Sequence, residues 1–156
     1  MFEKIFQYEL NNRAFAYISV TSLAEKMAET EQADFWHAYA RMEQLSQPRY
    51  QKASEKYGLK VNSFLVKLKV WGTDLAFMLF PKKMLSIMTD ATHAYVEKLK
   101  PLPDLARLED REFFEYVVAQ EQAQAHALTH AVGERYDLAA FTINEFLASQ
   151  MIKDRE

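Results

Sequence analysis

EFFEYVVAQEQAQAHALTHAV, residues 112 to 132, has the periodicity of a helix that belongs inside a core. Wound at about 100° per residue, it gathers Phe113, Phe114, Val117, Val118, Glu121, Gln124, Leu128, Ala131 and Val132 into one apolar arc. Glu121 lies near the middle of that arc. A carboxylate there is costly to bury, so it must be neutralised, paired with a cation or bound to a metal.

The surrounding chain predicts an all-α protein. Its 156 residues suit one domain, 1–156, and with Gly 3 and Pro 4 against 49% hydrophobic residues there are few turn formers to divide it into strands. Lys+Arg 19 nearly balances Asp+Glu 22, without a run of like charge, which argues against a nucleic-acid partner. Cys 0 excludes disulfides and thiolate chemistry. The start, MFEKIFQYELNNR, lacks the basic-then-apolar order of a secretory signal, and the expectation is a cytoplasmic protein.

Upstream of the central helix, Ile5, Glu9, Ala16, Val20, Leu23 and Met27 share a face of a first helix from about Glu3 to Ala28. Arg13 is one turn from Glu9 and can pair with it without any metal. Thr30 is the expected N-cap of a second, antiparallel helix that presents Phe35, Trp36, Tyr39, Met42, Glu43, Ser46 and Tyr50. That helix ends at Gly58, and Pro48 should kink it near Gln44.

Residues 61–80, VNSFLVKLKVWGTDLAFMLF, are apolar on two sides. The stripe Phe64, Leu68, Trp71, Leu75, Met78 and Leu79 is expected to face the bundle. Val66, Val70 and Phe77 would then face a second subunit in a homodimer. Lys67, Lys69 and Asp74 interrupt a run at the short end for a membrane span, so no transmembrane helix is expected. Peripheral contact with lipid phosphates through Lys67 and Lys69 is the competing, less favoured account. The next helix, from Lys82, turns Met84, Ile87, Met88, Ala91, Tyr95 and Leu99 inward. After a proline-marked turn at 101–110 and the central helix, a last helix follows Gly133 with Leu138, Phe141, Thr142, Glu145, Phe146 and Ser149 on its better face.

Glu9, Glu43 and Glu121 therefore stand on the core sides of three long helices. Carboxylate-bridged di-metal bundles take one Glu from each of two helices and a Glu-x-x-His pair from each of two others, because three residues make nearly one turn. Here the matching text is Glu43-Gln44-Leu45-Ser46 and Glu121-Gln122-Ala123-Gln124, with Ser46 and Gln124 where histidines would stand. The chain resembles the rubrerythrin and ferritin-like superfamily over most of its length. The resemblance implies a four-helix bundle with a long helical crossover and an extra C-terminal helix. It also implies a divalent-metal site, iron or manganese, in which Glu9, Glu43 and Glu121 carry over as ligands, with a neutral oxygen from Gln124 or Ser46 available to complete the set. The departures weaken that implication: the third bundle helix supplies no inward carboxylate, and His37, His93, His126 and His130 lie on polar faces or at a margin. Three carboxylates without histidine suit hard cations better than iron poised for oxygen chemistry. Without a metal, Arg13 and shared protons must neutralise them.

The leading expectation is a ferritin-like bundle with a degenerate carboxylate site that has lost di-iron redox chemistry. A metal-dependent oxidoreductase is one alternative, and a non-catalytic association or membrane-surface protein is the other. A Gly-rich phosphate loop, a His-Glu-x-x-His pair and a nucleophile elbow are all missing from the sequence.

Overall fold

The computed structural model describes residues 1–153 and is helical throughout, with no strand among them. The elements are α1 (Phe2–Lys26), α2 (Ala33–Tyr57), α3 (Ser63–Leu79), α4 (Pro81–Leu99), a four-residue α5 (Leu102–Leu105), a 3₁₀ turn (Leu108–Asp110), α6 (Arg111–Val132) and α7 (Tyr136–Lys153). The six long helices form a closed ring in which α1 neighbours α2, then α7, α6, α4, α3 and α1 again. None is long and apolar enough to cross a membrane.

Local chemistry sets the turns. Gly58 adopts φ 66° at the end of α2, where its N–H reaches the Glu55 carbonyl and the Leu59 N–H reaches that of Ser54. This is a Schellman closure, which needs a left-handed residue at that position. Gly133 ends α6 as the sequence suggests, but with φ −81°; the left-handed residue of the closure is Glu134, with φ 58°, and Arg135 N–H bonds the His130 carbonyl. Thr30 does not cap α2. Gln32 is the cap residue, and the Thr30 hydroxyl accepts from the Gln32 N–H, so it stabilises the turn before the helix.

The chain direction follows from two contacts. Asn11, well inside α1, accepts from the Asn62 N–H at the start of α3, and Asp74, further along α3, meets Lys26 at the C-terminal end of α1, so α3 runs parallel to α1. The connection from α2 thus returns along the outside of α1, and α4 comes back beside α6. Pro48 lies within an unbroken α2.

The core is divided in two. Phe6, Leu10, Tyr50, Leu99, Leu102, Phe114 and Val117 pack at the end where α1 begins. Val20, Leu23, Phe35, Trp36, Met42, Leu128 and Ile143 pack at the other. Each fully buried Leu, Ile or Phe contributes roughly 1.5–3 kcal/mol of transfer free energy. Between the clusters lie buried Glu9, Arg13, Glu43, Glu121 and Gln124.

Three faces differ from the sequence expectation. On α3, Val66 and Phe77 are buried, while Phe64, Leu68, Trp71, Leu75 and Met78 are exposed, Trp71 to 70%. The two sides are exchanged because Phe77 fits edge-on against the Trp36 ring, which α2 places under α3. On α4, Leu85, Thr89 and Val96 are buried with Tyr95 and Leu99, while Ile87 is half exposed. On α7, the buried residues are Ala139, Ala140, Ile143 and Leu147, and Phe141 is exposed. Small side chains let α7 lie close to α2 and α6, a preference that hydrophobicity alone does not reveal.

Candidate functional site

Arg13 is at the centre of the polar layer. It is buried, and each guanidinium nitrogen faces a different carboxylate: Nε lies 3.1 Å from Glu9 Oε1, Nη1 donates to Glu43 Oε1 at 2.6 Å, and Nη2 donates to Glu121 Oε1. Periodicity explains the meeting. Glu9 and Arg13 are one turn apart on α1, while Glu43 and Glu121 occupy the inward arcs of α2 and α6 at the same height. The structure therefore brings Glu9, Glu43, Glu121 and Gln124 together.

The carboxylates are further dressed by neutral donors. Tyr50 donates to Glu9 Oε1 at 2.8 Å and Tyr95, from α4, donates to Glu9 Oε2 at 2.7 Å, so both Glu9 oxygens are engaged. Gln124 donates from its amide nitrogen to Glu43 Oε1 at 2.6 Å. Ser46 turns back on its own helix and donates to the Glu43 carbonyl at 2.9 Å. Glu43 Oε2 and Gln124 Oε1 are buried without a hydrogen-bond partner. Gln120, one residue before Glu121, is buried with neither amide atom partnered.

Burial outweighs pairing in the titration of all three acids. It raises Glu43 to about 7 against the opposing pull of Arg13 and the Gln124 hydrogen bond. It raises Glu121 to about 8, again opposed by Arg13 and assisted by the charges of Glu9 and Glu43. Glu9 is raised by burial too, with Arg13, Tyr95 and Tyr50 all pulling the other way. For Arg13 the balance reverses: burial disfavours its charge, but Glu121, Glu43 and Glu9 together hold its pKa well above the ordinary arginine value. Burial and the nearby carboxylates hold Tyr39, Tyr50 and Tyr95 in their neutral phenol forms. Near neutral pH the cluster is thus a permanent cation, fewer than three carboxylate charges and shared protons.

This donor set does not fit a metal ion while Arg13 occupies its centre. Each carboxylate turns an oxygen toward a guanidinium nitrogen, and Gln124 presents a donor to Glu43 where a metal ligand would present its oxygen. No group of three or more His, Cys, Asp or Glu among the described residues is placed to hold a metal. The histidines stand apart: His37, His93 and His126 are exposed, and His93 meets the Thr129 hydroxyl at 2.8 Å.

The hydroxyls of Tyr50 and Tyr95 are the part of the site that periodicity does not reveal. Both residues stand in apolar arcs that read as core, although a buried tyrosine needs a partner for its hydroxyl, and that need is the available signal. Compared with protein-family models, curated proteins and solved structures, the chain matches none.

Proposed function

We propose that this chain is a cytoplasmic ferritin-like bundle whose carboxylate site has exchanged the metal for an internal cation, leaving a polar layer without di-iron redox chemistry. The observation that carries this reading is the contact of one buried guanidinium with all three glutamates. A guanidinium with five fixed donors satisfies several carboxylates at once and keeps its charge when buried, as a lysine would not. Its role is to fix how the four helices bearing Arg13, Glu43, Tyr95 and Glu121 sit against one another, since a slip by one residue would separate a buried charge from its partner. Elemental analysis of protein purified without chelator, with melting curves in added Fe²⁺ or Mn²⁺, tests it. The expected result is no stoichiometric metal and no metal-dependent shift. Stoichiometric metal that disappears in Glu43→Gln would overturn the proposal in favour of a metal-dependent oxidoreductase.

A second reading concerns association. Phe64, Leu68, Trp71, Leu75 and Met78 form an exposed apolar stripe on α3, which at about 1.5 Å per residue is about 25 Å long. We infer that it meets a second copy of the chain in an antiparallel, two-fold pair. Lys67 and Asp74 lie along the same edge of this stripe, seven residues apart. A two-fold axis midway between them therefore sets Lys67 of each copy opposite Asp74 of the other. Trp71→Glu should convert a dimer to a monomer in light scattering while the circular-dichroism spectrum stays helical. A wild-type monomer that pellets with anionic liposomes would replace the dimer by a membrane-surface contact.

A further inference from the structure

A cavity of about 240 Å³ lies beside the polar layer, walled by α1, α3, α4 and α6. Its chemistry changes along its length. Val20, Leu23, Phe77, Met84 and Met88 line the part toward the end of α1, whereas Asn12, Lys69 and Arg13 line the part nearer the carboxylate cluster. Ser19 and Gln124 also line it, and the Ser19 hydroxyl and the Gln124 Oε1 are buried without a hydrogen-bond partner. Such groups are ordinarily satisfied by a ligand or by ordered water.

Lys69 decides the charge of the occupant. It stands at the solvent edge of the cavity with Asn12 Oδ1 at 3.4 Å and its ammonium 4.0 Å over the Phe15 ring, and among the described residues no carboxylate pairs with it. The one acid in the wall, Glu121, is already engaged by Arg13. Partial desolvation and then the Arg13 charge lower the Lys69 pKa, so an anion placed there would relieve an unfavourable position.

We propose that this cavity binds a small aliphatic monocarboxylate, with its carboxylate on Lys69 and its alkyl chain among Val20, Phe77, Met84 and Met88. Ser19 supplies a further hydroxyl donor, and a water shared with the head group satisfies Gln124 Oε1. At about 30 Å³ per water-sized heavy atom, the 240 Å³ cavity holds roughly eight such atoms, the size of hexanoate. The cavity exists whichever cation neutralises the glutamates, so this inference stands apart from the metal question.

Calorimetric titration of the full chain with hexanoate, hexylamine and palmitate tests it. Hexanoate should bind saturably with Kd on the order of 1 mM or tighter, and hexylamine and palmitate should not bind in the cavity. Lys69→Gln should weaken hexanoate roughly tenfold by removing a charge-assisted contact, and Ala16→Leu should abolish binding by filling the space. Lys69 is exposed, so its variant keeps the test intact if Ala16→Leu does not fold. No saturation by hexanoate, equal or tighter binding of hexylamine, binding of palmitate alone, or unchanged affinity in Lys69→Gln would each overturn the proposal.

Discussion

Replacing Arg13 by methionine removes the cation that touches Glu9, Glu43 and Glu121 while keeping a long apolar stem in its place. Taking away one partner of a buried ion pair costs about 3–5 kcal/mol, because the remaining charge is left in a low-dielectric interior. With an unfolding entropy of about 2.1 cal/mol/K per residue, a chain of 156 residues loses roughly 3 °C per kcal/mol, so the melting temperature should fall by up to about 9–15 °C once the pH exceeds about 8 and the wild-type acids are ionised. The carboxylates can escape part of that cost by taking up protons. In the wild type Glu43 is raised to about 7 and Glu121 to about 8 from 4.5, so the native state binds protons more tightly than the unfolded chain. The stabilisation from each proton is complete below the unfolded pKa and is lost as pH rises through the folded one, here between about 7 and 8. Without Arg13 the protons are held more tightly still. The deficit of Arg13→Met relative to wild type should therefore be small near about pH 5 and grow toward about pH 8. Differential scanning calorimetry across that range measures it. A variant that melts with the wild type above about pH 8, or whose deficit is larger in acid, would refute the assignment of Arg13 as the neutralising cation.

Other consequences are separable from this one. Glu121→Gln is neutral in both the native and the unfolded chain, so its melting temperature should match wild type only below the unfolded carboxylate value of 4.5 and exceed it increasingly as pH rises toward the native value of about 8. Tyr95→Phe removes the hydroxyl that donates to Glu9 Oε2 at 2.7 Å and should cost about 1–3 kcal/mol in denaturant unfolding, since it leaves a buried acceptor unpaired. Glu134→Gly should raise the melting temperature by about 2–4 °C, because glycine takes the left-handed conformation without the penalty of a side chain, and the ion pair to Lys82 that it gives up lies on the surface. No change there would mean that the Glu134 backbone carries no strain.

The helices themselves are legible from periodicity and punctuation. Runs at a 3.6-residue spacing, few glycines and a Gly58 stop suffice to mark α1, α2 and α6, because the cost of exposing an apolar stripe is local to each helix. Glu9, Glu43 and Glu121 are visible in the same way, as charges set inside apolar arcs. What neutralises them is not, since sequence names the donors but not the distances, and only the packing of α1 against α2 and α6 brings one guanidinium to all three acids. Tertiary structure likewise decided α3. Both of its sides are apolar, so hydrophobicity cannot rank them, and the choice fell to shape: Phe77 finds the edge of Trp36, and the larger stripe with Trp71 is left outside. On α7 the close approach of α2 selects Ala139 and Ala140 over Phe141, because a helix packs where its side chains are small enough to let a neighbour in.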